Sequence, residues 1–269
     1  MSDHVFDAAI ALRSTGENVF SGQTSAPYAN MIGPFGGVTA AQALNAVMQH
    51  PRRLGEPVAF TVNFAAALSD GDFIVQATPA RTNRSTQHWL VEMRQADAVV
   101  LTATVVTASR RETWTPVSEP MPIVPRPHEV AVPPRRGRVE WINRYEMRFV
   151  SGGFPEHWDG ADANHSRTQV WVRDNPARSL DFPSLTAMCD VFFPRIWLRR
   201  STFTPLGTVS MTVYFHAGQA QLDASGTGYL LGQAQAQAFH NGYFDQSAQM
   251  WNEAGQLLAT SHQVVYYKE

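Results

Sequence analysis

Asp190 has the greatest chemical interest of any residue in the chain, because it lies within the apolar stretch 182–197, FPSLTAMCDVFFPRIW. A segment that is apolar on nearly every face is buried inside a domain. A lone buried carboxylate is costly unless it is hydrogen-bonded or paired, and burial raises its pKa. Two interpretations follow. Asp190 is either a structural aspartate bonded to a backbone N–H or a general base that accepts a proton from water.

The stretch 182–197 predicts a short buried helix of about three turns that carries the carboxylate inward. Pro183 would lie in the first turn, where its missing N–H costs nothing. Asp181 or Ser184 would supply an oxygen to the free N–H groups at that end. Pro194 would end or kink the helix.

Composition limits the classes of function. Hydrophobic residues make up 44% and charged residues 16% of the 269, so the chain is globular. A net charge of −2 argues against a nucleic-acid or anionic-membrane partner held by bulk charge. No apolar run reaches the roughly 18 to 20 residues of a membrane span, and the N-terminus does not resemble a signal peptide. We therefore expect a cytoplasmic protein.

Cysteine and histidine usage limits the chemistry further. The single cysteine, Cys189, excludes an internal disulfide and any site with several thiolates. No histidine has metal-ligand spacing, so no metal is expected. Cys189 is interpreted as a small core residue rather than a nucleophile, because no basic partner is evident.

Two halves of the chain share one order of elements. In the first half, one strand within 19–29 precedes a glycine-rich turn, a helix over 38–50 and four strands in a meander over 58–109. In the second, strands in 139–150 and 168–175 precede the 182–197 helix and four more strands. Between the halves, residues 110–138 hold seven of the 17 prolines and predict an extended linker. We expect an N-terminal unit (1–109), this linker, and a C-terminal unit (139–269) that carries the catalytic residues.

Local sequence matches indicate that the second half duplicates the first. VTA at 38–40 matches LTA at 185–187, and TVNF at 61–64 matches TVYF at 212–215. A helix wrapped by an antiparallel sheet is the natural arrangement for each half, and two units side by side would join their sheets. Only the second half carries the polar residues Asp190, Thr208 and Gln263. The matched positions in the first half hold Ala43, Pro57 and either Thr104 or Val105.

Over most of its length the chain resembles the double-hotdog acyl-CoA thioesterases, the family of bacterial thioesterase II. PFGGVTAAQAL at 34–44 resembles the entry to that family's first helix, and TQVWVRDN at 168–175 its strand before the second. TVSMTVYFH at 208–216 keeps a threonine eight residues before a histidine, and GQLLATSHQ at 255–263 resembles the last strand, ending on glutamine. The chain departs from the family between 208 and 214, where Val-Ser-Met-Thr-Val replaces a pattern containing an Asp-His pair.

The resemblance implies an α+β double hotdog fold and an enzyme that hydrolyses acyl-CoA to a carboxylic acid and coenzyme A. The family's catalytic Asp, Thr and Gln fall on Asp190, Thr208 and Gln263. The residue chemistry agrees, because a hydroxyl and a carboxamide can orient the water that a buried carboxylate activates. Coenzyme A enters as part of the acyl-CoA substrate, and no other cofactor is expected.

Further positions follow as expectations for substrate binding. Free N–H groups at the start of the first helix, at Gly36 and Gly37, could hold the oxyanion. The acyl pocket is expected beside the second helix. Phosphates of coenzyme A could meet a loop between two first-half strands, although a solvated turn is the more ordinary explanation for that loop. The acyl-pocket residues are Met188, Phe192 and Phe193, and the loop residues are Arg81, Asn83 and Arg84.

Two other functions remain open at this point. A duplicated fold can keep an acyl-ligand pocket and lose the reaction, which would give a non-catalytic acyl-CoA-binding protein or assembly subunit. A hydratase ranks last, because its chemistry pairs an Asp with a His in a helix-associated motif and the helix around Asp190 has no histidine. Pairing of chains into a homodimer or higher homo-oligomer through their sheets is also expected.

Overall fold

The computed structural model describes residues 4–116, 118–133, 139–155 and 157–269. Within these ranges the strands form a single 13-stranded antiparallel sheet, against which the helices pack. In the first half the elements are α1 (Val5–Ala9), β1 (Arg13–Ser14), β2 (Val19–Gln23), α2 (Gly36–Met48), β3 (Glu56–Phe64), β4 (Asp72–Thr82), β5 (Thr86–Gln95) and β6 (Ala98–Ala108).

The second half contains two helices that were not predicted as separate elements, α4 and α5. Its elements are β7 (Tyr145–Ser151), β8 (Thr168–Asp174), α3 (Phe182–Met188), α4 (Arg195–Arg200), β9 (Leu206–Phe215), α5 (Gln219–Ser225), β10 (Leu230–Gln235), β11 (Phe239–His240), β12 (Tyr243–Asn252) and β13 (Leu257–Tyr267). Short 3-10 turns lie at Ala26–Tyr28, Pro127–Glu129 and Glu140–Arg144, so the strand expected from 139 begins at Tyr145.

The two halves join through β3 and β9 at the centre of the sheet. The strand order is β1-β2-β4-β5-β6-β3-β9-β13-β12-β10-β8-β7, with β11 beside β12. Thr61 on β3 lies opposite Thr212 on β9, and their hydroxyl oxygens are 3.0 Å apart. This pairing removes one exposed edge from each half. The predicted architecture, two helix-wrapped antiparallel units in one continuous sheet, is confirmed.

The expected four-strand meander of the first half is wrong in one respect. Strand β3 pairs with β6, not with its neighbour in sequence β4. Residues 65–71 therefore connect β3 to β4 across the sheet and do not form a hairpin. The reason is that β3 has β9 on its other side, so both of its edges are used where the halves meet.

Helix α2 is buried on all sides, including the face that carries the polar side chains of Gln42 and Asn45. Both are almost fully buried, at 2% and 8% exposed. The Gln42 side chain donates to the carbonyl of Ala9 at 2.8 Å, and the Asn45 side chain donates to that of Ile10 at 2.8 Å. Helix α1, which was not predicted, covers this face and supplies the carbonyl groups at its C-terminal end.

The second central helix is shorter than predicted. Helix α3 starts as expected, with Asp181 accepting a hydrogen bond from the N–H of Ser184 at 2.8 Å. It ends at Met188, and a new helix starts after Pro194. Asp190 therefore lies in a tight turn just beyond α3, where its N–H donates to the carbonyl of Ala187 at 3.1 Å. The turn buries the apolar residues 191–193, which a continued helix would have directed to several faces.

The described part of segment 110–138 contains no strand and lies against the outer face of the second half. Met121, Val124 and Val130 pack on a cluster formed by Trp171, Tyr229, Leu231 and Trp251. The Trp171 side chain donates to the carbonyl of Pro125 at 2.9 Å. Residues 117 and 134–138 of the segment lie outside the described residues. None of the helices in the described ranges is long and apolar enough to span a bilayer.

Candidate active site

The structure brings Asp190 and Gln263 into direct contact. The carboxamide of Gln263, on β13, donates to Asp190 Oδ1 at 2.8 Å. Gln263 is 5% exposed, and its amide nitrogen also lies 3.4 Å from the sulfur of Met211, its cross-strand partner on β9. A buried amide in this setting has little freedom to rotate away. Gln263 therefore fixes one carboxylate oxygen and leaves the other directed elsewhere.

The second carboxylate oxygen points at the start of α2. A Cβ placed on Gly36 would lie 2.9 Å from Asp190 Oδ2, and one placed on Gly37 would lie 2.6 Å from the carbonyl oxygen of Ala187. Because glycine has no Cβ, it lets α2 come this close to α3 and to the carboxylate. The backbone N–H of Gly37 lies close enough to the Asp190 carboxylate to lower its pKa. The same N–H is one of those predicted for the oxyanion, and the oxyanion role of Gly36 and Gly37 stays a prediction.

Burial sets the proton affinity of this carboxyl group. It raises the pKa of Asp190 to about 7, and the hydrogen bonds from Gln263 and Gly37 oppose the shift only in part. The residue as a whole is only partly buried. A carboxyl group that is half ionised at neutral pH is well matched to accept a proton from water there.

Thr208 lies on the same face of the sheet as Gln263. It pairs with Val265, two residues beyond Gln263 on β13, and cross-strand partners point to the same side. A β-bulge between Val264 and Val265 sets this register, and without it Val209 would take the inward position. Val209 is 40% exposed, in agreement. The Thr208 hydroxyl makes no direct hydrogen bond to Asp190 or Gln263 within the described residues, so any link between them runs through a bound molecule.

The predicted acyl-pocket residues flank the carboxylate in the sequence and lie in an aromatic environment. Met188, Phe192 and Phe193 are buried at 2%, 8% and 4% exposed. The ring centroid of Phe193 is 5.3 Å from that of Phe149 on β7 and 3.8 Å from that of Phe154 in the following loop. Sequence reasoning missed these two partners, because nothing in a loop sequence shows which strand or helix it folds against.

Two other aromatic residues near the carboxylate were also missed. The ring of Phe64, at the end of β3, comes within 3.6 Å of a Cβ placed on Gly36. Tyr145, at the start of β7, is buried, and its pKa is raised well above the ordinary value, first by burial and then by the charges of Tyr28, Asp174 and Asp190. Phe64 is part of the matched segment 61–64, but the match carries no information about what it contacts, and Tyr145 lies outside the matched segments.

The loop expected to meet coenzyme A is not brought to this site. Strand β4, which carries Arg81, is separated from β13 by four strands. Arg81 donates to the Asn83 side chain at 3.1 Å, and Asn83 donates to the Thr86 hydroxyl at 3.1 Å, while Arg81, Asn83 and Arg84 are all exposed. The contact with coenzyme A stays a prediction to which the fold adds no support. No cluster of three His, Cys, Asp or Glu side chains suited to a metal occurs among the described residues.

Comparison with solved structures gives related folds over the whole chain. A conserved protein of unknown function with a hot dog fold from Alicyclobacillus acidocaldarius is 45% identical, with a TM-score of 0.94 over 100% of this chain and 99% of that one. The tesB protein of Mycobacterium avium subsp. paratuberculosis is 19% identical, with a TM-score of 0.78 over 98% of each chain. The acyl-CoA thioesterase II TesB2 of Mycobacterium marinum is 15% identical, with a TM-score of 0.73 over 98% of each.

Two family models match successive parts of the chain. The model of the acyl-CoA thioesterase N-terminal domain matches residues 25–108, and that of the acyl-CoA thioesterase C-terminal domain matches residues 122–267. A search of the curated proteins gave no match. The fold is the double hotdog that the sequence predicted, and the chain belongs to the acyl-CoA thioesterase family.

Proposed function

We propose that the protein hydrolyses acyl-CoA thioesters with Asp190 as the general base. The observation that carries the proposal is the enclosed carboxylate, held by Gln263 at 2.8 Å and with its pKa raised to about 7. The family models support an acyl-CoA substrate. Cofactors other than the coenzyme A of the substrate are not needed for this chemistry.

The proposed reaction uses these groups in the following way. Asp190 takes a proton from a water molecule while the water oxygen attacks the thioester carbonyl carbon. Thr208, on the same face as Gln263, orients that water, and N–H groups at the start of α2 stabilise the developing oxyanion. Collapse of the tetrahedral intermediate breaks the carbon–sulfur bond. The thiolate of coenzyme A leaves and is protonated, and the free acid remains.

Thioester cleavage can be followed with a thiol-trapping dye and a panel of acyl-CoAs of increasing chain length. We expect Asp190→Asn to lose at least about a hundredfold in kcat, the ordinary contribution of a general base. A matched control is Asp223→Asn on α5, an exposed carboxylate that accepts from the Gln219 side chain at 2.8 Å. It should hydrolyse at the parent rate. Asp190→Asn at the parent rate would disprove the assignment.

Two other outcomes separate the alternatives. Tight binding of acyl-CoA without release of thiol at any chain length would identify a binding protein. Formation of a 3-hydroxyacyl product from an enoyl-CoA would identify a hydratase. Homo-oligomer formation, which the duplicated sheet leaves open, can be measured on the same preparation by light scattering.

A further inference from the structure

Three buried polar atoms near the start of α3 have no hydrogen-bond partner among the described residues. They are the hydroxyl oxygens of Tyr28 and Tyr145 and the Oδ1 atom of Asp174. Their residues are 0%, 4% and 2% exposed, so bulk water does not reach them. Buried polar groups are normally hydrogen-bonded, since each unpaired one costs free energy. Three such atoms on neighbouring residues indicate a place where a ligand group completes the set.

These three residues form one cluster. Tyr145 and Asp174 are cross-strand partners on β7 and β8, so their side chains point to the same face. The ring centroids of Tyr28 and Tyr145 are 6.3 Å apart, and the charge of Asp174 acts on both tyrosines. The other carboxylate oxygen of Asp174 accepts from the Ser184 hydroxyl at 2.6 Å, which fixes the carboxylate and leaves Oδ1 free.

The cluster matches the bonding capacity of a single hydroxyl group. A hydroxyl has one donor and two acceptor positions. It can donate to Asp174 Oδ1 while it accepts from the hydroxyls of Tyr28 and Tyr145. A carboxylate ligand would face the Asp174 carboxylate and an ammonium ligand could not accept from the tyrosines, so both fit less well.

The cluster and the proposed base lie along the same helix. Ser184, which holds Asp174, lies in the first turn of α3, and Asp190 lies in the turn just beyond the end of the same helix. Phe35, immediately before the glycine that meets Asp190, has its ring centroid 6.1 Å from that of Tyr145. A thioester carbonyl at Asp190 would therefore place an acyl substituent several carbons away within reach of the cluster.

We propose that Tyr28, Tyr145 and Asp174 form a subsite that binds a hydroxyl group on the acyl chain, so that the preferred substrates are hydroxylated acyl-CoAs. This inference rests on the proposed thioesterase function and specifies its substrate class. The subsite would select a hydroxyl at one position along the acyl chain, because α3 sets the distance between the cluster and the thioester carbonyl. A chain without the hydroxyl would leave the three atoms unpaired in the complex.

The test compares hexanoyl-CoA with its 3-, 4-, 5- and 6-hydroxy derivatives. We expect one isomer to exceed hexanoyl-CoA by about tenfold in kcat/KM, the effect of roughly 1.4 kcal/mol. In Tyr145→Phe and Tyr28→Phe this ratio should fall to near one. The matched control is Tyr229→Phe. It removes a hydroxyl that donates to Glu146 at 2.6 Å, in the cluster against which segment 110–138 packs. This variant should keep the ratio of the parent protein.

Each outcome either supports or overturns the proposed subsite. Equal kcat/KM for all five thioesters, or a ratio unchanged in both tyrosine variants, would overturn the subsite and leave the cluster as a site for water only. Thermal unfolding of the variants shows whether they fold, and loss of an unpartnered hydroxyl should not lower Tm. If the parent protein cleaves no thioester, the proposed function fails separately. In that case calorimetry measures the Kd of the same five compounds. Tenfold tighter binding of one hydroxy isomer than of hexanoyl-CoA would support the subsite, and equal binding would overturn it.

Discussion

Replacing Gln263 with alanine should move the acid limb of the pH–rate profile to higher pH. In the parent protein the Asp190 pKa of about 7 predicts that kcat/KM rises with pH up to about that value. The parent would then run at roughly half its plateau rate at pH 7 and at about a tenth at pH 6. The Gln263 hydrogen bond at 2.8 Å stabilises the ionised form, so its removal raises the pKa further.

The size of the shift follows from the strength of that bond. A hydrogen bond to a charged group contributes about 1.5 to 3 kcal/mol. One pKa unit corresponds to about 1.4 kcal/mol, so the acid limb should move up by about 1 to 2 pH units. At pH 7 the variant would keep roughly 1 to 10% of its own plateau rate. Residual hydrogen bonding from Gly37 limits the shift.

The assay is thioester cleavage from pH 5 to 9.5 with thermal unfolding at each pH. Gln249→Ala is the matched control, because Gln249 is half-buried on the neighbouring strand β12, opposite Thr260. Its profile should overlay that of the parent. An acid limb near pH 4 in the parent, or one that stays in place in Gln263→Ala, would refute the account of Asp190 as a desolvated base held by Gln263.

Three further predictions concern the same site. Because the folded pKa of Asp190 lies above the ordinary 3.8, the carboxylate destabilises the fold increasingly from pH 4 to 7. Asp190→Asn should therefore raise the free energy of unfolding at pH 8 by at most about 4 kcal/mol and should leave it nearly unchanged at pH 4. Chemical denaturation at both pH values checks this. Gly36→Ala should lower kcat/KM at least tenfold, since its Cβ would lie 2.9 Å from Asp190 Oδ2, whereas Gly207→Ala, which meets nothing within 4 Å, should match the parent in the same assay. Thr208→Val should lower kcat about tenfold with KM little changed, as expected of a group that orients water, and parent activity in that variant would remove Thr208 from the mechanism. Val209→Ala, at the exposed residue of the bulge, serves as its control.

Much of the site could be predicted because it depends on local chemistry. The apolar residues around Asp190 indicated burial, and the N-cap at Asp181 and the early proline fixed where α3 starts. The matched segments at 61–64 and 212–215 fall on β3 and β9, the two strands that pair at the centre of the sheet. These features follow from composition and periodicity within a few residues, which a sequence shows directly.

The errors come from contacts between distant segments. Gln42 and Asn45 appear as a polar face in the sequence. Only the packing of α1 shows that their side-chain amides donate to backbone carbonyls and are buried. The end of α3 depends on which surfaces residues 191–193 reach. The inward position of Thr208 depends on one bulge in the β9–β13 ladder. None of these depends on local propensity, so the sequence pattern does not determine them.

The β3–β9 ladder makes the two halves mutually dependent for solubility. A fragment containing only the first half would present β3 as a bare edge of nine residues, Glu56–Phe64, with unpaired N–H and C=O groups along it. The C-terminal fragment would present β9 in the same way. Separately produced halves should therefore aggregate, or recover together by complementation when mixed, and neither is suited to independent use as a reduced catalyst.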